Sequence, residues 1–143
     1  PNQPVFTEAE SNRIGRLQCP PPLWKRLGKG RMVLVDLPLL ERAKLLADDY
    51  AHFIDHPDSL KETLEGLRRL RGNEQVDEWH RQIDARNWDD FLKSILVDHY
   101  DLVYRRPGSE DSVYPDPEQT LVIPSHNQGD FEKAATDLIA GYS

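Results

Sequence analysis

The stretch Glu8-Ala9-Glu10-Ser11-Asn12-Arg13-Ile14-Gly15-Arg16 brings two carboxylates, a hydroxyl and two guanidiniums together. Carboxylates hold Mg²⁺ directly or through water. Guanidiniums meet phosphate oxygens through two parallel hydrogen bonds. The combination fits a phosphate-bearing ligand and its metal. Glu8 and Glu10 are candidate Mg²⁺ ligands, and Ser11, Arg13 and Arg16 are candidate contacts to phosphate or to an RNA backbone. Gly15 allows a backbone conformation closed to other residues. The plainer alternative is a solvated carboxylate capping a turn, next to ordinary surface charge.

A second cluster is His99-Tyr100-Asp101, with Tyr104 close behind. An imidazole, a carboxylate and phenols within one and a half helical turns can line a substrate pocket and move protons. His99 also continues the apolar stripe of its helix, which equally suits a packed core histidine. Arg42 stands near a helix start, where it is a candidate phosphate or tRNA contact and can stabilise transition-state charge or pair at the surface. His52 and His56 have the i, i+4 spacing of metal ligands but lack an evident third. Gly28-Lys29-Gly30 lacks the first glycine, the spacing and the hydroxyl of a phosphate loop.

These residues need elements to position them. Val5-Phe6-Thr7 reads as a short strand, which would point Glu8 and Glu10 to one face at its carboxyl end, where open α/β sheets take their ligands. Met32-Val33-Leu34-Val35 reads as a strand buried on both faces, and Thr120-Leu121-Val122-Ile123 as a third. Between them, Leu39, Ala43, Leu46, Ala47 and Tyr50 share one helical face. A capping box, Ser59 to Glu62, opens the next helix, with Leu60, Leu64, Leu67 and Leu70 inward. A polar helix follows over 74–86, carrying Val76, Trp79 and Ile83. Asn87 caps another with Trp88, Leu92, Ile95 and Leu96 on its stripe. The last helix starts at Asn127 or Asp130, with Phe131, Ala135, Leu138, Ile139 and Tyr142 inward. Strands separated by helical crossovers indicate an α/β fold with a parallel sheet. The expectation is part of a doubly wound sheet of about three strands, with a helical block over 39–106 inserted in a single unit over 1–143.

The chain has 143 residues and a formal net charge of −7, which excludes nonspecific nucleic-acid binding by its whole surface. Charge is uneven, however. Ser11 to Arg31 holds six basic residues and no acidic ones, whereas Pro107 to Glu118 holds four acidic and no basic ones. A polyanion could therefore meet one face, through Arg13, Arg16, Lys25, Arg26, Lys29 and Arg31, and would be held by its backbone. Cys19 is the single cysteine, so there is no internal disulfide and no cysteine-based zinc site. A cytoplasmic origin is expected, with no membrane partner. The chain starts at Pro1, which suggests that it begins inside a longer polypeptide.

Four segments together resemble one family, the bacterial tRNA 2-selenouridine synthases. They are Val5 to Arg16 followed by a proline-rich segment and Leu23-Trp24; Val33-Leu34-Val35-Asp36 with Glu41-Arg42; the helix from Trp88 to Val97; and His99-Tyr100-Asp101-Leu102-Val103-Tyr104. The last looks like the family's His-Tyr-Asp-Pro-x-Tyr element, with Leu102 in place of proline. The resemblance implies a P-loop-type domain of an enzyme that converts wobble 2-thiouridine in tRNA to 2-selenouridine, using selenophosphate and passing through a geranylated intermediate. It implies tRNA as partner, selenophosphate and geranyl diphosphate as co-substrates, and a rhodanese-like domain supplying a catalytic cysteine. Neither that domain nor the phosphate loop is in this sequence, and Cys19 is not the family's cysteine. The chain alone is therefore expected to be inactive. Two other readings remain at this stage: a non-catalytic tRNA-binding or interaction module, and a remnant of a P-loop small-molecule kinase.

Overall fold

The structure is a computed structural model, and it describes residues 4–9, 11–103 and 116–142. The chain divides into two compact units: residues 1–36, 104–123 and 127–143 form the first, and 37–103 with 124–126 the second.

The first unit holds all four strands found among the described residues. β1 (Arg13–Ile14) and β2 (Leu17–Gln18) pair antiparallel around Gly15-Arg16, with Ile14 opposite Leu17. Gly15 has φ +59°, the left-handed value that the first position of such a two-residue turn requires. Pro20 then precedes α1 (Pro21–Leu27); its first positions suit proline because their N–H groups have no intrahelical partner. β3 (Val33–Asp36) pairs parallel with β4 (Gln119–Val122), in the register Val33 to Gln119 and Asp36 to Val122. The ladder extends at both ends, through Glu118 N–H to the Met32 carbonyl and Ile123 N–H to the Asp36 carbonyl. A second helix of this unit is α9 (Gln128–Gly141), entered from an extended Asn127.

Three expectations are corrected here. The described parallel sheet has two strands, not about three, because Val5-Phe6-Thr7 forms no strand. That run has no neighbouring strand to satisfy its backbone; Val5 is exposed, and Phe6 packs edge-on against Tyr142 at 5.7 Å. Glu8 therefore does not stand at the end of a strand that would aim it and Glu10 to one face. Secondly, β3 is not buried on both faces: Val35 is 55% exposed, as a two-stranded sheet covers little of its own surface. Thirdly, α9 turns Ala134 inward, with Phe131 and Leu138 half-buried, whereas Ala135 and Ile139 are exposed.

The second unit is helical. Its described helices are α2 (Leu39–Asp49), α3 (Ala51–Asp55), α4 (Pro57–Glu65), α5 (Arg68–Arg71), α6 (Asn73–Asp84) and α7 (Trp88–Ile95), then a π-helical turn (Leu96–Tyr100) and α8 (Asp101–Val103). Residues 104–106 of the expected block lie outside the described residues. α4 opens at Pro57, not at a capping box: Ser59 is inside the helix, and its carbonyl accepts the Thr63 hydroxyl. The helix breaks after Glu65, and the shift in phase leaves Leu70 60% exposed.

The core of this unit is Ala43, Leu64, Val76, Trp79, Ile83, Phe91, Leu92, Ile95 and Leu96. α6 contributes Val76, Trp79 and Ile83, the three apolar residues of an otherwise polar helix, all fully enclosed. An indole so buried needs a partner for its N–H. Trp79 Nε1 donates to Ser94 Oγ at 2.9 Å, and Ser94 Oγ donates to Asp98 at 2.7 Å.

Candidate functional site

The helical unit holds a cavity of about 390 Å³ that is partly open to solvent. Its walls are apolar side chains, including Leu46, Ala47, Phe53, Leu64, Phe91 and Ile95. Among the described residues no charged side chain lines it; Tyr50, Thr63, Trp88, His99 and Tyr100 carry its polar side-chain atoms. The sequence places these apolar residues at helical spacing, but the helices are short and broken at Tyr50, His56 and Gly66. Short helices meeting at such breaks leave a space in place of a closed core.

His99 and Tyr100 reach the cavity from the π-helical turn. Its wider i to i+5 hydrogen bonding lets consecutive side chains share one side, and such turns recur at functional sites. His99 Nδ1 accepts a hydrogen bond from Arg71 Nε at 3.2 Å, and its carbonyl accepts one from Arg71 Nη2 at 3.1 Å. Burial, then the Arg71 charge, hold the imidazole below its ordinary pKa. The two rings pack edge to face at 5.3 Å. Asp101 does not line the cavity. It takes both terminal nitrogens of Arg42, at 2.5 and 3.1 Å, each side chain 31% exposed.

Thus Arg42, a candidate phosphate contact, and Asp101, a candidate acid or base, are each other's partners. Ser11, Arg13, Gly15 and Arg16 come together in the hairpin of the first unit. Ser11 Oγ accepts the Arg13 backbone N–H at 3.0 Å, and Arg13 Nε donates to the Gly15 carbonyl at 3.2 Å. Arg16 is exposed in the turn, with Ile14 and Leu17 also outward, at 70% and 73%. Glu8 is exposed in a segment without regular structure, and Glu10 lies outside the described residues. Among the described residues no group of three or more potential ligands is placed to hold a metal, which includes His52 and His56. Cys19 is half-buried next to Pro20, its N–H bonded to the Asn12 carbonyl at 2.6 Å.

Two residues of this arrangement were not singled out by sequence reasoning. For Arg71 the available signal is a basic residue just before Gly72, one turn beyond Leu67 of an apolar stripe. The other is His126. Its Nδ1 lies 2.6 Å from Glu41 Oε2, and its backbone N–H donates to the same oxygen at 3.1 Å. Lys44 takes the other Glu41 oxygen at 2.7 Å. The His126 and Lys44 hydrogen bonds lower the Glu41 pKa to about 2. His126 stands four residues after β4 in the chain, a loop position that sequence reasoning can flag but not pair.

Among the described residues no helix is long and apolar enough to cross a membrane. A family model described as the tRNA 2-selenouridine synthase AAA domain matches residues 1–113. No curated protein and no solved structure matches the chain.

Proposed function

The chain belongs to the tRNA 2-selenouridine synthase AAA-domain family, and from that premise we propose that it serves the conversion of wobble 2-thiouridine in tRNA to 2-selenouridine, with selenophosphate as selenium donor and a geranylated intermediate. The observation that carries the geranyl step is the cavity of the helical unit. It is apolar, uncharged and about 390 Å³, within the range of small-molecule sites of roughly 300–1,000 Å³. A branched hydrocarbon chain is the ligand such walls favour, since burying apolar surface is the main gain available there. Alkylation of the thiouridine sulfur forms a carbon–sulfur bond and releases diphosphate and a proton. The chain of the prenyl donor therefore needs an apolar pocket, and its leaving group needs cations.

In this reading His99 and Tyr100 touch the prenyl donor or the base. Asp101 holds Arg42 in place at the foot of the same π-helical turn. Ser11, Arg13 and Arg16 of the hairpin bind phosphate, either of the tRNA backbone or of a diphosphate, and Gly15 sets the turn that presents them. Glu8 and Glu10 have the hard oxygen donors that suit Mg²⁺, which would neutralise phosphate charge. A rhodanese-like domain would supply the nucleophilic cysteine, and a phosphate loop the diphosphate cradle; these 143 residues contain neither. Cytoplasmic location follows from a tRNA substrate.

The test is nucleoside analysis of thiolated tRNA incubated with geranyl diphosphate and selenophosphate. The 143-residue chain alone should leave 2-thiouridine unchanged. The same chain joined to a phosphate loop and a rhodanese-like domain should yield 2-selenouridine. Turnover by the isolated chain, or none by the joined protein, would refute the reading.

A further inference from the structure

His99 is a cavity-lining residue whose ring nitrogens are not equivalent. Arg71 has only N–H groups to offer, so the nitrogen that faces its Nε must be the unprotonated one. In a neutral imidazole the proton then sits on Nε2. Arg71 is held in turn by the His99 carbonyl, so guanidinium and imidazole are fixed to each other at two points. Among the described residues no carboxylate pairs with Arg71. The two acids on the same stretch of helix are engaged elsewhere, Asp98 by Ser94 and Asp101 by Arg42. Among the described residues, the other titratable side chains that line the cavity with His99 are the phenols of Tyr100 on its own turn and of Tyr50.

We infer that Arg71 is a positioning residue that fixes His99 as the Nε2–H tautomer, so that His99 meets a cavity ligand as a hydrogen-bond donor and favours apolar ligands carrying an acceptor atom. This deepens the reading of the cavity as a prenyl site and rests on it. A donor among hydrocarbon walls is worth most when its partner is buried with it, because an unmatched polar group there costs desolvation. It discriminates between an alkyl chain ending in an oxygen and the same chain without one. It also makes His99 a donor to the ligand, not the base that removes a proton.

Two measurements on the full 143-residue chain test this. The first is nitrogen-15 NMR of the imidazoles. His99 should show the Nε2–H tautomer above neutral pH and titrate below an ordinary histidine, in keeping with burial and the Arg71 charge. Arg71→Met should mix the tautomers and raise the titration midpoint. The second is binding of 2-heptanone and heptane, which differ by one acceptor oxygen. The ketone should bind about five- to tenfold more tightly, the size of one hydrogen bond, and His99→Phe should cut the preference at least about twofold, an unchanged preference overturning His99 as its source. If Arg71→Met unfolds the chain, the tautomer of the unsubstituted protein still decides. An Nδ1–H tautomer overturns the inference and leaves the cavity reading standing. Equal affinity for the two probes overturns the selectivity. Binding of neither overturns the cavity reading and the selectivity with it.

Discussion

Arg42 and Asp101, 59 residues apart in the chain, meet in a two-pronged ion pair that ties the first turn of α2 to the residue that follows the π-helical segment carrying His99 and Tyr100. The pair fixes where that segment ends, and it does so with planar geometry that a lysine cannot reproduce. Each partner is partly open to solvent, which limits its worth. A double-mutant cycle with Arg42→Gln and Asp101→Asn, read by urea unfolding, should give a coupling of about 1 kcal/mol. Arg42→Lys should recover less than half of it. A coupling near zero would show that the pair does not hold the segment.

Trp79 is the centre of the helical unit. Trp79→Ala should destabilise it by about 3–5 kcal/mol, because a large enclosed ring leaves a cavity that the helices cannot close. Ser94→Ala should cost about 1–3 kcal/mol by leaving the indole N–H unsatisfied. Denaturant midpoints of the three proteins check both figures.

Much of this unit was legible in sequence. Val76, Trp79 and Ile83 are the three apolar residues of a polar helix, and their spacing puts them on one face. Leu64, Leu92, Ile95 and Leu96 follow the same rule. What periodicity cannot show is where a helix breaks. Glu65 and Gly66 interrupt the stripe that runs to Leu70, and that break sends Leu70 outward and helps to open the cavity. Strand reading failed at Val5 for a similar reason: an apolar run becomes a strand only when another strand pairs with it. The contacts Arg42–Asp101 and Glu41–His126 join residues 59 and 85 positions apart, a distance at which one sequence carries no signal.

Glu41 gives a pH dependence with a definite sign. Its folded pKa, about 2, lies below the ordinary value of 4.5, so the folded state resists protonation that the unfolded chain accepts. The stabilisation is present above about pH 4.5 and is lost as pH falls toward 2. Glu41→Gln should remove this part of the acid sensitivity and be less stable at neutral pH. Thermal unfolding midpoints at intervals between pH 6 and 2 would show it; parallel curves for the two proteins would contradict it.

The hairpin offers a prediction on nucleic acid. Arg13→Ala and Arg16→Ala should each weaken tRNA binding and lower the slope of log affinity against log salt by up to about one per phosphate contact. Gly15→Ala should weaken it through the turn, since φ +59° is costly for alanine. Unchanged affinity and slope in the arginine variants would remove the hairpin from the interface.

The most direct measurement is calorimetric titration of geranyl diphosphate into the chain and into Ala47→Trp and Leu67→Trp, whose side chains would fill the cavity. Circular dichroism would establish that both variants fold. Saturable binding to the unsubstituted chain, with at least tenfold weaker binding to both variants, is the expected result. Absence of binding, or equal affinity in folded variants, would contradict the assignment of the cavity to the prenyl group.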